Sequence, residues 1–275
     1  MDRASWRRLL VGDFSFKRLV RSILLVYVLF GVIIFFAADR MMFYPEITAG
    51  NEVSDGILIP TPDDELISAI YRPAATPEYT ILLSHGNAEA IADMEYFIAR
   101  LNALGFSVLA YDYRGYGASE GKPSEANTYQ DIDAAFGYLT RELKVPADRV
   151  IAYGRSIGGG PSTDLAAREA IAGLILESTF VSAFRVRTGI PILPFDKFRN
   201  LSKLEKVRCP VLIMHSLDDA IIPIWHGKAL FDNAPSPKRA LWVEEGGHGG
   251  IPFVYPERYK EALATFTQIV TSGSR

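Results

Sequence analysis

Gly154-Arg155-Ser156-Ile157-Gly158 follows the apolar run Val150-Ile151-Ala152-Tyr153 and opens into Gly159-Gly160 and a helix-like segment. A serine hydroxyl is a weak nucleophile at its own pKa, so it needs a general base within reach and a backbone that holds it clear of its neighbours. A sharp strand-to-helix turn does this. The residues two before and two after the serine are then so crowded that glycine fits best, as at Gly154 and Gly158. The spacing therefore nominates Ser156 as a nucleophile.

A base and an orienting acid must come from elsewhere. In nucleophile turns of this kind the acid follows a later strand and the histidine comes last. Pro210–His215 reads as a buried strand leading into Ser216-Leu217-Asp218-Asp219, and Ala240–Val243 reads as a strand leading into Glu244-Glu245-Gly246-Gly247-His248-Gly249-Gly250. Asp219 and His248 are the candidate acid and base. Of the four histidines, His85 closes a strand-to-helix turn, His215 ends a strand and His226 stands at a helix start; only His248 is late, in a glycine-rich loop and downstream of the acid. Adjacent side chains point different ways, so Asp218 and Asp219 cannot share the role. Glu177, at the end of another strand, is the alternative acid. Earlier, the strand Tyr79–Ser84 runs into His85-Gly86-Asn87, and the backbone N–H groups of Asn87 and Ile157 are the expected oxyanion donors.

Other chemistries fit less well. No His-x-x-x-His or Cys-x-x-Cys pair exists, so no metal is expected. Gly158-Gly159-Gly160 has no following Lys-Ser/Thr to cradle a phosphate. Gly115-Tyr116-Gly117 lacks the third glycine of a dinucleotide site, with Glu120 in its place. No cofactor is expected. Asp112 and Arg114 read as a structural ion pair shaping their loop, and Trp225 and Trp242 as packing residues. Cys209, the single cysteine, reads as a buried structural thiol.

The elements needed to position these residues are legible. Strand patterns lie near Leu66–Tyr71, Thr80–Ser84, Ser107–Tyr111, Arg149–Tyr153, Gly173–Glu177, Val211–His215 and Ala240–Val243. Helical spacing links Ile91, Met94, Ile98 and Leu101, then Ile132, Phe136, Leu139 and Leu143, and finally Tyr259, Leu263, Phe266 and Ile269. Alternation of this kind predicts an α/β fold: one mostly parallel central sheet with helices on both faces. The segment Phe180 to Lys206 is too short for a large helical lid. Its Ile190-Pro191-Ile192-Leu193-Pro194-Phe195 run predicts a short cap with an apolar wall, and hence amphiphilic ester or thioester substrates with lipid-like acyl chains.

Together these motifs resemble the α/β-hydrolase superfamily, and within it the membrane-anchored Bem46, ABHD13 and ABHD17-like serine hydrolases. The resemblance rests on Phe43-Tyr44-Pro45, His85-Gly86-Asn87, Tyr111-Asp112-Tyr113-Arg114-Gly115-Tyr116-Gly117-Ala118-Ser119, the serine turn, the Asp219 loop ending in Pro223, and Gly247-His248. It runs from about Met41 to the C-terminus. It implies an α/β-hydrolase fold and an acyl-transfer triad of Ser156, His248 and Asp219, and leaves the substrate open because this scaffold hosts many chemistries. A prolyl-aminopeptidase-like serine peptidase and a catalytically silent scaffold are the alternatives. The histidine, acid and proline of the family's acid loop align with His215, Asp219 and Pro223, and Ser216 replaces its usual glycine.

Ser22 to Ala38 carries no charge. Extended to Leu19, with Arg21 snorkelling, it would measure roughly 30 Å as a helix, which matches a bilayer's hydrocarbon core. The reading is a basic N-terminus over 1–21, a transmembrane anchor over 22–38 and a hydrolase domain over 41–275. A cleaved leader would have a shorter apolar region and a small residue where Phe35 or Phe36 stands. The first 21 residues hold six basic and two acidic residues, which predicts a cytoplasmic N-terminus and a catalytic domain on the exported side. The whole chain has a formal net charge of −3, so the remainder carries −7, and no nucleic-acid partner is expected.

Overall fold

A computed structural model of the chain describes residues 15–48, 50 and 53–273. These divide into two units, the first ending at Met42 and the second beginning at Phe43. The first is a single helix, α1 (Phe16–Met42), the one described helix long and apolar enough to cross a membrane. Arg3, Arg7 and Arg8, on which the expected orientation partly rests, lie outside the described residues.

The second unit has an eight-stranded sheet: β1 (Ile57–Pro60), β2 (Leu66–Arg72), β3 (Thr80–Ser84), β4 (Ser107–Tyr111), β5 (Val150–Arg155), β6 (Gly173–Glu177), β7 (Val211–Ser216) and β8 (Lys238–Val243). The order is β1-β2-β4-β3-β5-β6-β7-β8. β1–β2 and β2–β4 are antiparallel and every later pair is parallel. Seven strands match the sequence patterns within two residues. β1 carries no readable signal because it is short, has Leu58 exposed and ends in Pro60. Proline is tolerated there because β1 is an edge strand.

Between the strands run α2 (Glu95–Ala103), α3 (Glu125–Gly137), α4 (Gly159–Arg168), α5 (Arg185–Thr188), α6 (Asn200–Leu204) and α7 (Trp225–Asn233), and α8 (Ile251–Val254) and α9 (Pro256–Gly273) follow β8. Strand side chains alternate between faces. Ile81, Leu83, Ile151, Tyr153, Ile175, Leu212 and Met214 form one core with Phe97, Ile98 and Leu101 of α2 and with Tyr259, Leu263, Phe266 and Val270 of α9. Leu82, Leu109, Ala152, Leu174, Leu176 and Ile213 are equally buried on the other face, where α4 packs on β5 and β6. Burial on both faces is why these strands read as continuous apolar runs. Val270, not Ile269, closes the apolar stripe of α9.

The topology locates a crevice. β3 pairs with β4 on one side and β5 on the other, so successive crossovers diverge at its carboxyl end, where open α/β sheets bind ligands. Register sharpens this, since Ser84 stands opposite Gly154 and Arg155 opposite Glu177. The His85-Gly86-Asn87 turn and Ser156 therefore emerge side by side.

Candidate active site

Ser156 has φ +52°, a left-handed conformation rare for a residue with a side chain. The surrounding packing enforces it. A Cβ on Gly154 would strike the Gly158 carbonyl, and one on Gly158 would strike the Ser84 carbonyl and lie 2.7 Å from that of His85. The strand can thus turn straight into a 3-10 turn (Ser156–Gly158) and α4. Thr179 Oγ1 donates to the Ser156 carbonyl at 2.6 Å and ties the turn to the end of β6.

Three distant segments converge on this serine. His248 Nε2 lies 2.9 Å from Ser156 Oγ and Nδ1 lies 2.9 Å from Asp219 Oδ2. With Nδ1–H donating to the carboxylate, Nε2 is left to accept the serine proton. Asp219 is buried, and its Oδ1 accepts the N–H groups of Ile221 and Ile222, both at 2.9 Å. Burial alone would raise its pKa. The hydrogen bonds from His215, His248 and the Ile222 N–H outweigh burial and hold the carboxyl well below its usual range. Asp219 therefore faces His248 as a carboxylate.

The adjacent aspartate has a different job. Asp218 is exposed and its Oδ1 accepts the Gly247 N–H at 2.8 Å and the Ser216 hydroxyl; those bonds lower its pKa. It steadies the histidine loop without touching the imidazole. Glu177 is buried at the end of β6 and accepts the Tyr153 hydroxyl; burial pushes its pKa up. Asp219, not Glu177, holds His248.

On the other flank Asn87 shares with Ser156 and His248 a cavity of about 40 Å³, whose wall includes Gly86, Glu89, Arg155 and Gly249. Asn87 Oδ1 accepts from the Tyr116 hydroxyl at 2.6 Å, the Ala88 N–H at 3.1 Å and the Tyr44 N–H at 3.3 Å. Phe43-Tyr44-Pro45 thus reaches the turn after β3. Ile157 directly follows Ser156, at the amino end leading into α4, where the helix dipole favours negative charge.

The expectation for Asp112 and Arg114 needs correction, because they do not pair with each other. Asp112 accepts the Ile91 N–H at 2.9 Å and sits 3.4 Å from His85 Nε2. Arg114 binds Asp131 at 2.7 Å, Asp63 at 2.8 Å and Glu65 at 3.3 Å. Neighbours in sequence here serve different loops. His215 is buried against the acid, its Nε2 lying 2.7 Å from the Ile222 carbonyl. His226 Nδ1 accepts the Val181 N–H at 3.2 Å, and burial pushes its pKa down to about 4. Cys209 is buried, which pushes its thiol up to about 12. Trp225 stacks on His226 and Trp242 packs against Phe231.

Sequence reasoning missed the contacts of Arg155, Glu89 and Tyr116. The one available signal was an unexplained charge beside the serine and another three residues past Gly86.

Residues 75–203 match the family model Hydrolase_4, described as serine aminopeptidase. The chain is 42% identical over 200 residues to human alpha/beta hydrolase domain-containing protein 17B, covering 70% of this chain and 69% of that protein. It is 40% identical over 207 residues to aho-3 of Caenorhabditis elegans, an alpha/beta hydrolase domain-containing protein, covering 74% of this chain and 62% of that one. The match therefore spans less than two thirds of the nematode relative. Among solved structures, an esterase from Pyrococcus furiosus superposes with a TM-score of 0.67 at 19% identity, covering 78% of this chain and 91% of that one. The α/β hydrolase GrgF from Penicillium superposes with a TM-score of 0.67 at 15% identity, covering 79% and 99%. These two share the fold.

Proposed function

Since the chain belongs to the α/β hydrolases, among relatives of the domain-containing protein 17 type, we propose that it is a membrane-anchored serine hydrolase that cleaves esters or thioesters through Ser156, His248 and Asp219. One observation carries the reading: the unbroken chain of two 2.9 Å contacts from Ser156 Oγ through the imidazole of His248 to Asp219.

The steps follow from that chain. Ser156 attacks the acyl carbonyl while its proton passes to His248 Nε2, and Asp219 stabilises the imidazolium. The Asn87 and Ile157 N–H groups bind the oxyanion. His248 then protonates the leaving alcohol or thiol, and in the second half-reaction takes a proton from the water that releases the acid.

Lipid-like acyl substrates are supported by the segment after β6, which has only two short helices and exposes Ile190 and Ile192. The cavity beside Ser156, about 40 Å³, is too small to enclose a long acyl chain. A peptidase is the second reading, favoured by the serine aminopeptidase model and by Glu89 and Glu177 in the cavity wall. Arg155 faces both carboxylates, at 3.2 Å from Glu89 and 3.8 Å from Glu177, and so competes with a substrate ammonium for them.

Fluorophosphonate labelling tests the proposal, with turnover of p-nitrophenyl esters and acyl thioesters set against aminoacyl amides. Wild type should label and prefer esters or thioesters, and Ser156→Ala should lose labelling and nearly all turnover at unchanged thermal stability. Retained labelling in Ser156→Ala would overturn the nucleophile, and a preference for amides would favour the peptidase. The exported orientation is tested by an alkaline phosphatase fusion after Arg275 in a bacterial host; activity supports it, whereas activity of a cytoplasmic reporter there would reverse it.

A further inference from the structure

Arg155 precedes the proposed nucleophile, and its side chain is only 11% exposed. The guanidinium meets three separate segments. Nη1 lies 3.2 and 3.4 Å from the two oxygens of Glu89, Nη2 donates to the Gly249 carbonyl at 3.1 Å, and Nε stands 3.8 Å from Glu177 Oε2. Its carbon sits 4.9 Å from the centre of the Phe97 ring. Glu89 in turn accepts the Gly86 N–H at 2.7 Å.

The identity of these partners is what matters. Gly249 follows His248, Gly86 precedes Asn87, and Arg155 precedes Ser156. One guanidinium therefore connects the chain neighbours of base, oxyanion donor and nucleophile, which come from the ends of β8, β3 and β5. The fork is closely fitted: Gly249 has φ +85°, and a Cβ there would lie 2.5 Å from Arg155 Nη2. A Cβ on Gly86 would lie 2.8 Å from Glu89 Oε2. Arginine suits the task because its planar donors can hold several acceptors in fixed directions, whereas lysine presents a single point charge.

We propose that Arg155 is a positioning residue that, with Glu89, sets the spacing of the histidine loop and the oxyanion turn about Ser156. The inference rests on the serine-hydrolase reading above. Arg155 acts through these two loops rather than on the reacting atoms. Its effect is on the geometry of attack, where a displacement of about 1 Å can cost on the order of 10²-fold in rate.

The test compares wild type, Arg155→Met, Arg155→Lys and Glu89→Gln in the full-length chain, on one p-nitrophenyl ester, well below each variant's melting temperature. Turnover is expressed per folded molecule as measured by circular dichroism. Positioning predicts a fall in kcat of about 10²-fold for Arg155→Met with KM within about threefold, a parallel fall in the fluorophosphonate labelling rate, partial recovery in Arg155→Lys, and a smaller kcat loss in Glu89→Gln. Combining Arg155→Met with Glu89→Gln should cost less than the product of the single losses, because both break one connection. A lowered melting temperature with unchanged kcat per folded molecule would reduce Arg155 to a structural ion pair and overturn the proposal. Should Arg155→Met not fold, Glu89→Gln decides alone, since Glu89 is less buried than Arg155 and an unchanged kcat there is equally fatal. Ser156→Ala separates the two levels: labelling that persists in it removes the serine reading, whereas labelling lost in it beside normal kinetics in Arg155→Met removes only this inference.

Discussion

The two flanks of Ser156 are held by different physics. On the nucleophile side, backbone meets backbone: Gly154, Gly158 and the Ser84 and His85 carbonyls pack so closely that no side chain could be added, and Ser156 is forced to positive φ. On the acid and histidine side the loops are held by individual polar bonds, from Asp219 to the Ile221 and Ile222 N–H groups, from Asp218 to that of Gly247, and from Arg155 to the Gly249 carbonyl. The first side is fixed by sterics, and errors there damage the fold. The second is fixed by exchangeable hydrogen bonds, and errors there are expected to damage the proposed reaction first.

The largest expected effect breaks the polar side at its centre. Asp219→Asn should lower kcat on an activated ester by on the order of 10⁴, as the equivalent change does in a serine protease, because the tautomer of His248 is no longer enforced. If Asp218→Asn instead carried that loss, the loop would be read one residue out of register, and mild equal losses would bring Glu177 back as the acid.

Next comes the steric side. Gly158→Ala should reduce stability by about 3 kcal/mol, because the new methyl meets backbone that cannot rotate away. Urea unfolding measures it; a midpoint equal to wild type would mean that the turn is looser than the comparison requires.

Asp218→Asn should cost less than about tenfold in kcat, since the amide oxygen can still accept the Gly247 N–H and a neutral acceptor forfeits only about 1 kcal/mol relative to a charged one. Steady-state kinetics should show KM unchanged.

The smallest effect is a pH dependence on the polar side. His226 is buried and neutral, with its pKa pushed from 6.5 to about 4, and it accepts the Val181 N–H at the start of the segment after β6. Its contribution to stability is therefore fully present above pH 6.5 and is lost as pH falls towards 4. Thermal melts should show His226→Gln with a flatter decline than wild type over that interval. Parallel curves would exclude His226 as a source of the slope.

Much of the fold was legible because its signals are local. Strands buried on both faces make uninterrupted apolar runs, and seven of the eight were readable; β1 was not, since an edge strand with an exposed Leu58 and a terminal Pro60 has no such run. The strand, Gly-x-Ser-x-Gly and helix sequence was legible for the same reason, as a steric demand falling on residues two places apart. So was the chain order of serine, acid and histidine.

What the sequence by itself determined is thus a mostly parallel α/β sheet, a serine at a strand-to-helix turn and an apolar segment long enough to cross a membrane. Tertiary structure alone decided the other polar partners: that Asp218 holds the Gly247 N–H, that Asp112 and Arg114 serve different loops, and that Arg155 joins Glu89 to Gly249. The physical reason is range. Apolar burial and backbone crowding repeat with the period of the element and leave a pattern in sequence, whereas a hydrogen bond is chosen over about 3 Å between side chains up to 193 residues apart, and nothing periodic records it.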